Sequence, residues 1–444
     1  MKKPVKNAFD GGKGLSRRGF LGGAAAGLAA LGQASAAPAA WAGKLLPSEK
    51  GNMGFIGMGN HGVNRNLRMF LRQRDARAVA VCDVYKSRSK SAQKMVNSHY
   101  KSDGCSAVTD FRRVLDRKDI DGIMISTPDH WHVLLSVLAL RAGKDVICEK
   151  PTLTIEEGRI LTDTVKKHKK VFQTSTEDRS LACYLQMAQV IRNGLIGKVR
   201  KVEVELPAGN RYQTMKPVAP PKDLDWDMWI GPAPKIPYSP DRTERQHWRN
   251  CFDHSGGKLT DWGMHQLDTV QWALDRESSG PSEVYGVGTI NEGSVYNTFV
   301  DYDINYRYDD GVHLHVKSGG TGMRFEGTDG WVSNSQFNRP MEASSKELVK
   351  WRPGKGDLKL RTCAGGEHRD FLDCVKSREP PYFPAETGHR CATVQHIANI
   401  SMLLKSKLKW DPKTEEFLGG PKKATRPANN MRSRPMRAPW TLDA

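Results

Sequence analysis

Met53-Gly54-Phe55-Ile56-Gly57-Met58-Gly59-Asn60-His61-Gly62 is a short apolar run that breaks into the spacing Gly57-x-Gly59-x-x-Gly62. If the run is a strand and a helix follows, the backbone N–H groups of the loop point at a pyrophosphate and the glycines let it approach. Alone the triplet decides little, because glycine makes up 42 of 444 residues and an ordinary glycine turn carries the same spacing. Its flanks decide. Val63, Leu67, Phe70 and Leu71 recur at helical spacing directly behind the loop. Ala78-Val79-Ala80-Val81-Cys82 then reads as a buried strand ending in Asp83, about 20 residues past the loop. A carboxylate there accepts ribose hydroxyls and repels a 2′-phosphate, which favours NAD; Lys86 and Arg88 follow closely and keep NADP as the lesser option.

Downstream, strands and helices alternate. Helices are expected around 89–96 and 109–115, and Gly122-Ile123-Met124-Ile125-Ser126 reads as the next strand. It runs into Thr127-Pro128-Asp129-His130-Trp131-His132, where the chain turns across the carboxyl end of a parallel sheet and ligands collect. A helix to Leu140, the strand 145–148 leading into Glu149-Lys150-Pro151, a helix opened by the capping box Thr154-x-x-Glu157, and the strand 171–174 follow. Short links throughout give a doubly wound parallel sheet. Beyond Gly197 the pattern changes. Lys201 to Leu206 alternates, and Tyr302, Ile304, Tyr306 and Tyr308 alternate up to the turn Asp309-Asp310-Gly311 before Val312, Leu314 and Val316. That is an antiparallel hairpin with one wet face. The fold class is therefore α/β: a Rossmann domain over 51–175, then an α+β domain over 176–418 with a large, mostly antiparallel sheet and helices on one side.

The first residues read as an export signal rather than as fold. Lys2, Lys3, Lys6 and Lys13 precede Ser16-Arg17-Arg18-Gly19-Phe20-Leu21 and an Ala/Gly/Leu run to Leu31, with cut sites after Ala34-Ser35-Ala36 or Ala40-Trp41-Ala42. This is the pattern of a twin-arginine (Tat) leader over 1–42, with 43–50 as linker and a periplasmic or extracytoplasmic destination. The apolar run is far short of the roughly 20 residues a membrane span needs, so no stable membrane insertion is expected. The eight cysteines show no metal-like spacing; buried thiols are expected at Cys82 and Cys148, with disulfides left open. A net charge of +19 is shared with the leader and with a basic arm, 419–444, and no nucleic-acid motif accompanies it. The segment Arg434 to Trp440 is expected to pack on a neighbouring subunit of a homo-oligomer.

In order and separation, the glycine loop, Asp83, Thr127-Pro128-Asp129 with His132, Glu149-Lys150-Pro151, and Gly256-Gly257 followed by Asp261-x-x-x-His265 resemble the Gfo/Idh/MocA oxidoreductase family. The resemblance covers about Gly51 to about Trp410. It implies NAD along Gly57, Gly59, Asn60, His61, Gly62 and Asp83, continuing past Thr127, Pro128, His132 and Glu149 to Lys150. It also implies a sugar, polyol or glycoside between the domains, with Lys150 near nicotinamide and substrate, and Asp261 and His265 as substrate-orienting and acid/base residues. Arg179, Trp248, Arg249 and His254 are expected as substrate contacts from their surroundings, although each also reads as a structural residue. The family includes redox-neutral glycosidases; an exported branch of these replaces the lysine motif, which this chain keeps.

Taking a hydride from a carbinol carbon requires removing the hydroxyl proton, a task for a base working near ambient pH, and His265 suits it. Lys150 would polarise the oxygen, and Asp261 would orient the substrate or His265. His130, Trp131 and His132 either line the nicotinamide pocket or pack at a helix start. No residues have metal spacing. Export adds a condition: outside the cytoplasm, NAD must stay bound and be recycled. Three readings remain: an NAD-dependent sugar or polyol oxidoreductase, a redox-neutral glycosidase or epimerase, and a non-catalytic sugar-binding sensor.

Overall fold

The computed structural model describes residues 50–243, 246–419 and 422–443, so the leader and nearly all of the expected linker lie outside the described residues. Six strands, β1 (Gly51–Ile56), β2 (Ala76–Cys82), β3 (Ser106–Val108), β4 (Gly122–Ile125), β5 (Asp145–Glu149) and β6 (Phe172–Ser175), form a parallel sheet in the order β3-β2-β1-β4-β5-β6. The order reverses between β1 and β4, whose carboxyl ends carry the glycine loop and the Thr127 turn; Ser126 N–H donates to Ile56 O at 2.8 Å and holds the two side by side. Apolar runs here are buried on both faces, as a helix-covered parallel sheet requires.

Nine further strands complete a second sheet: β7 (Val199–Leu206), β8 (Glu283–Ile290), β9 (Phe299–Arg307), β10 (His313–Ser318), β11 (Met323–Gly327), β12 (Trp331–Asn334), β13 (Glu342–Ala343), β14 (Leu408–Asp411) and β15 (Glu416–Leu418). Their order is β13-β12-β11-β7-β10-β9-β8-β14-β15, antiparallel except for the β7–β10 pair. Tyr302, Ile304 and Tyr306 point into one core with the helices Lys258–Ala273 and Ala385–Leu403, while Asp301 and Asp303 alternate outward.

Several expectations change in detail. The helix behind the loop begins as a wide π turn, Gly62–Leu67, before α-helical Arg68–Leu71. The stretch 109–115 holds only one helical turn, Arg112–Leu115, started by Asp110 accepting from Arg112 N–H; the short β3 before it had no alternation to reveal it. Thr154 caps the helix Ile155–His168, but Glu157 does not return the bond and pairs with Arg434 instead. All eight cysteines are free. Among the described residues, no helix is long and apolar enough to cross a membrane.

The arm forms a helix, Lys422–Asn430, and then docks on its own chain through contacts that the sequence reading did not foresee. Arg434 holds Glu157 at 2.7 Å and the carbonyl of His130, and Arg437 pairs with Asp227. Trp440 packs edge-on against Trp131 at 4.9 Å, and Leu442 enters the core of the first sheet. Its alternating cations and apolar groups find acids and apolar walls nearby, so the chain closes on itself.

Candidate active site

One cleft of about 610 Å³ runs from the glycine loop to the helix Lys258–Ala273. At the loop, Gly57 adopts φ +94°, and a Cβ there would meet Ser126 O at 2.5 Å; a Cβ on Gly62 would stand 2.0 Å from Gly57 O. Both positions are glycine because backbone meets backbone. Gly59 faces open space instead, its nearest neighbour Arg88 Nη1 at 3.9 Å. At the end of β2, the Asp83 carboxylate accepts from Met58 N–H at 2.7 Å and Tyr85 N–H at 2.8 Å, which fixes it on the cleft wall and leaves lone pairs for ribose hydroxyls. This cradle fits the pyrophosphate and adenosine ribose of NAD.

Farther along, His61 Nε2 and Asn66 Nδ2 both meet Glu149 Oε1 at 2.9 Å. Burial drives the Glu149 carboxyl up, but His61, Asn66 and Lys150 reverse this and hold it below the ordinary range. His132 ties two turns together, bonding the carbonyls of Pro151 and Thr127 at 2.8 Å each. Asn60, Thr127 and Pro128 line the same wall.

Lys150 Nζ donates to Asp261 Oδ1 at 2.8 Å and to Asp261 O at 2.7 Å. Burial opposes the charge on each, yet their mutual attraction raises the lysine and lowers the aspartate, so both stay ionised. Asp261 therefore serves Lys150, not His265. The histidine is held by Asp178, which ends the turn after β6: His265 Nδ1 lies 2.8 Å from Asp178 Oδ1 and 3.3 Å from Thr176 Oγ1. A carboxylate only accepts, so Nδ1 carries the hydrogen and the other nitrogen, Nε2, is left basic. Asp178 is fully buried, and burial pushes its carboxyl up against the pull of His265.

Trp248, Arg249, Trp262, Trp229 and Gln246 complete the far end. Arg179 and His254, expected as substrate contacts, do not line this cleft. Arg179 is buried on Asp268 at 2.7 Å and Glu277 at 2.6 Å, and His254 is buried against His130 and Trp229, its imidazole pushed down to about 3 by burial. His130 likewise packs away from the cleft, on the carbonyl of Trp229. Glu177, Asp178 and His265 bring donor atoms within 4.8 Å of one another, although no sequence spacing links them to a metal. Arg65, 3.3 Å from Glu177, and the imidazole on Asp178 already meet that charge. Sequence reading missed Glu177, Asp178, Trp229, Trp262 and Gln246. The two acids had a signal, since they follow a parallel strand at its carboxyl end, where ligands gather.

The sequence matches the oxidoreductase-family NAD-binding Rossmann fold over residues 51–176 and the C-terminal alpha/beta domain of the same family over 184–442. The chain belongs to the Gfo/Idh/MocA oxidoreductase family. A family relative, the inositol 2-dehydrogenase of Salmonella paratyphi B, is 21% identical over 373 residues, 79% of this chain and 96% of the relative. An alpha-N-acetylgalactosaminidase of Bacteroides fragilis is 30% identical over 157 residues, 34% of this chain and 36% of that one. The crystal structure of an aldose-aldose oxidoreductase from Caulobacter crescentus shares the fold, with a TM-score of 0.61 at 16% identity over 81% of this chain and 99% of that one.

Proposed function

We propose that the protein is an exported sugar or polyol oxidoreductase that keeps NAD bound through its turnovers. The observation that carries this reading is the meeting, in one cleft, of the dinucleotide loop with Lys150, Asp261 and His265. The glycine loop and Asp83 would hold NAD, which would supply the hydride acceptor. The substrate hydroxyl would lie between Lys150, whose ammonium stabilises the developing alkoxide, and His265 Nε2, which takes its proton; Asp178 stabilises the imidazolium that results. Similarity to an inositol dehydrogenase along most of the chain supports a polyhydroxylated substrate. The basic leader with twin arginines supports Tat export of the folded, loaded protein, and a homo-oligomer is proposed with it.

The test is a panel of sugars, inositols and glycosides given to the purified mature protein, followed by NADH absorbance and product mass. Nucleotide retained through purification and oxidation of at least one polyol support the reading; folded protein that holds no nucleotide and ignores added NAD would sink it. A redox-neutral glycosidase is the second reading, favoured by the galactosaminidase match over about a third of the chain. It predicts aglycone release with no net NADH.

A further inference from the structure

The two walls of the cleft's reacting end differ in charge. On one, Glu177 faces Arg65 at 3.3 Å and Asp178 holds His265, so each acid has a basic partner. On the other, the carboxylate of Asp261 is surrounded by three cations, Lys150 at 2.8 Å, Lys258 at 3.5 Å, and Arg249, whose field also lowers it, while the buried Asp129 accepts from Ser255 Oγ and feels Arg249 only from farther off. Arg249 is the cation without an acid of its own. Its Nη1 donates to the neutral Gln246 Oε1 at 2.6 Å and its guanidinium rests 4.3 Å from the centre of the Trp248 ring, and no carboxylate lies within 4 Å among the described residues. The remaining N–H donors of the fork have no acceptor among the described residues, on a residue that lines the cleft.

Resting on the oxidoreductase reading above, we infer that the substrate is an acidic sugar, a uronate or aldonate whose carboxylate is received by the free edge of the Arg249 guanidinium. A planar guanidinium binds a carboxylate through two parallel bonds, and Trp248 beneath it fixes the plane. A neutral sugar would leave the outer N–H groups of that fork without a charged acceptor beside Lys150 and Lys258. The acid group would then sit on the Trp248 wall, with the reacting hydroxyl directed to Lys150 and His265.

The experiment compares sugars that differ only in this group, such as methyl glucoside with methyl glucuronide and galactose with galacturonate. Binding to the NAD-loaded full chain is read by tryptophan fluorescence, and turnover by product mass. The acid member of a pair is expected to bind about 100-fold more tightly than the neutral one, the ratio to collapse toward 1 in Arg249→Gln, and Arg249→Lys to recover part of it. Equal binding within every pair, binding of neither member, or a preference that survives Arg249→Gln would overturn the inference. Acid-selective binding without oxidation of any sugar would uphold the subsite and count against the oxidoreductase reading instead.

Discussion

In the proposed reaction His265 and Lys150 would act on opposite ends of one O–H bond, and each is held by an aspartate from a different part of the chain. Replacing His265 with Ala should lower kcat by about 10²–10⁴-fold while bound NAD is retained, measured by turnover and by nucleotide extraction. Asp178→Asn keeps a hydrogen-bond partner for Nδ1 but removes the charge that stabilises the imidazolium. Its kcat should fall by about 10²-fold or more with KM nearly unchanged, and Asp178→Glu should restore part of the loss. Lys150→Met leaves the Asp261 carboxylate largely buried without its partner and should cost about 2–4 kcal/mol in urea unfolding; adding Asp261→Asn should recover stability but not turnover. Lys150, Asp261 and His265 were legible because each lies in a short motif. Asp178 carried only the general signal of a parallel strand's carboxyl end, and Arg65 carried none, since only the fold brings β6 and the π turn against these motifs. Arg179 was misread because a sequence does not show that a guanidinium already has Asp268 and Glu277.

At the scale of the element, the glycine loop separates two demands that its motif merges. Gly62→Ala must displace Gly57 O and should cost both nucleotide and more than about 2 kcal/mol of stability, whereas Gly59→Ala meets open space and should lose bound NAD while keeping the Tm of the nucleotide-free parent. Differential scanning calorimetry with nucleotide extraction distinguishes them. The arm is a second such element. Deleting 433–444 removes the Arg434–Glu157 pair and uncovers Trp131, and should lower stability by about 2–4 kcal/mol. Parallel strands and the β9–β10 hairpin were readable from buried runs and alternation. The arm was not, because its anchors are single residues whose partners lie about three hundred positions earlier in the chain.

Over the whole molecule, buried neutral histidines set the acid limit. Burial lowers His130, His368 and His389, and takes His254 to about 3 and His396 to about 4, from an ordinary 6.5. Between those values the unfolded chain binds more protons than the folded one, so stability is full above pH 6.5 and falls as pH drops toward 4. Asp129, pushed up to about 6 by burial, works in the opposite sense, as do Asp83, Asp178, Asp268 and Asp370, which burial also raises, whereas Glu149, Asp261, Glu386 and Glu415, held low by their basic partners, add to the decline as pH nears 4. The urea midpoint should decline over that window with uptake of more than one proton on unfolding, and His254→Phe should flatten the decline. None of this was legible in advance, because burial of a histidine depends on which surfaces meet. The arm also sets an order in time. Trp440 and Leu442 pack into the first sheet's core, and Arg432 O receives the N–H of Glu156 at the start of a Rossmann helix. Synthesis runs from the amino end, so the Rossmann domain is finished by residues made only after the whole second domain, and a chain cut short before Arg432 leaves the ribosome with its nucleotide domain lacking that cover.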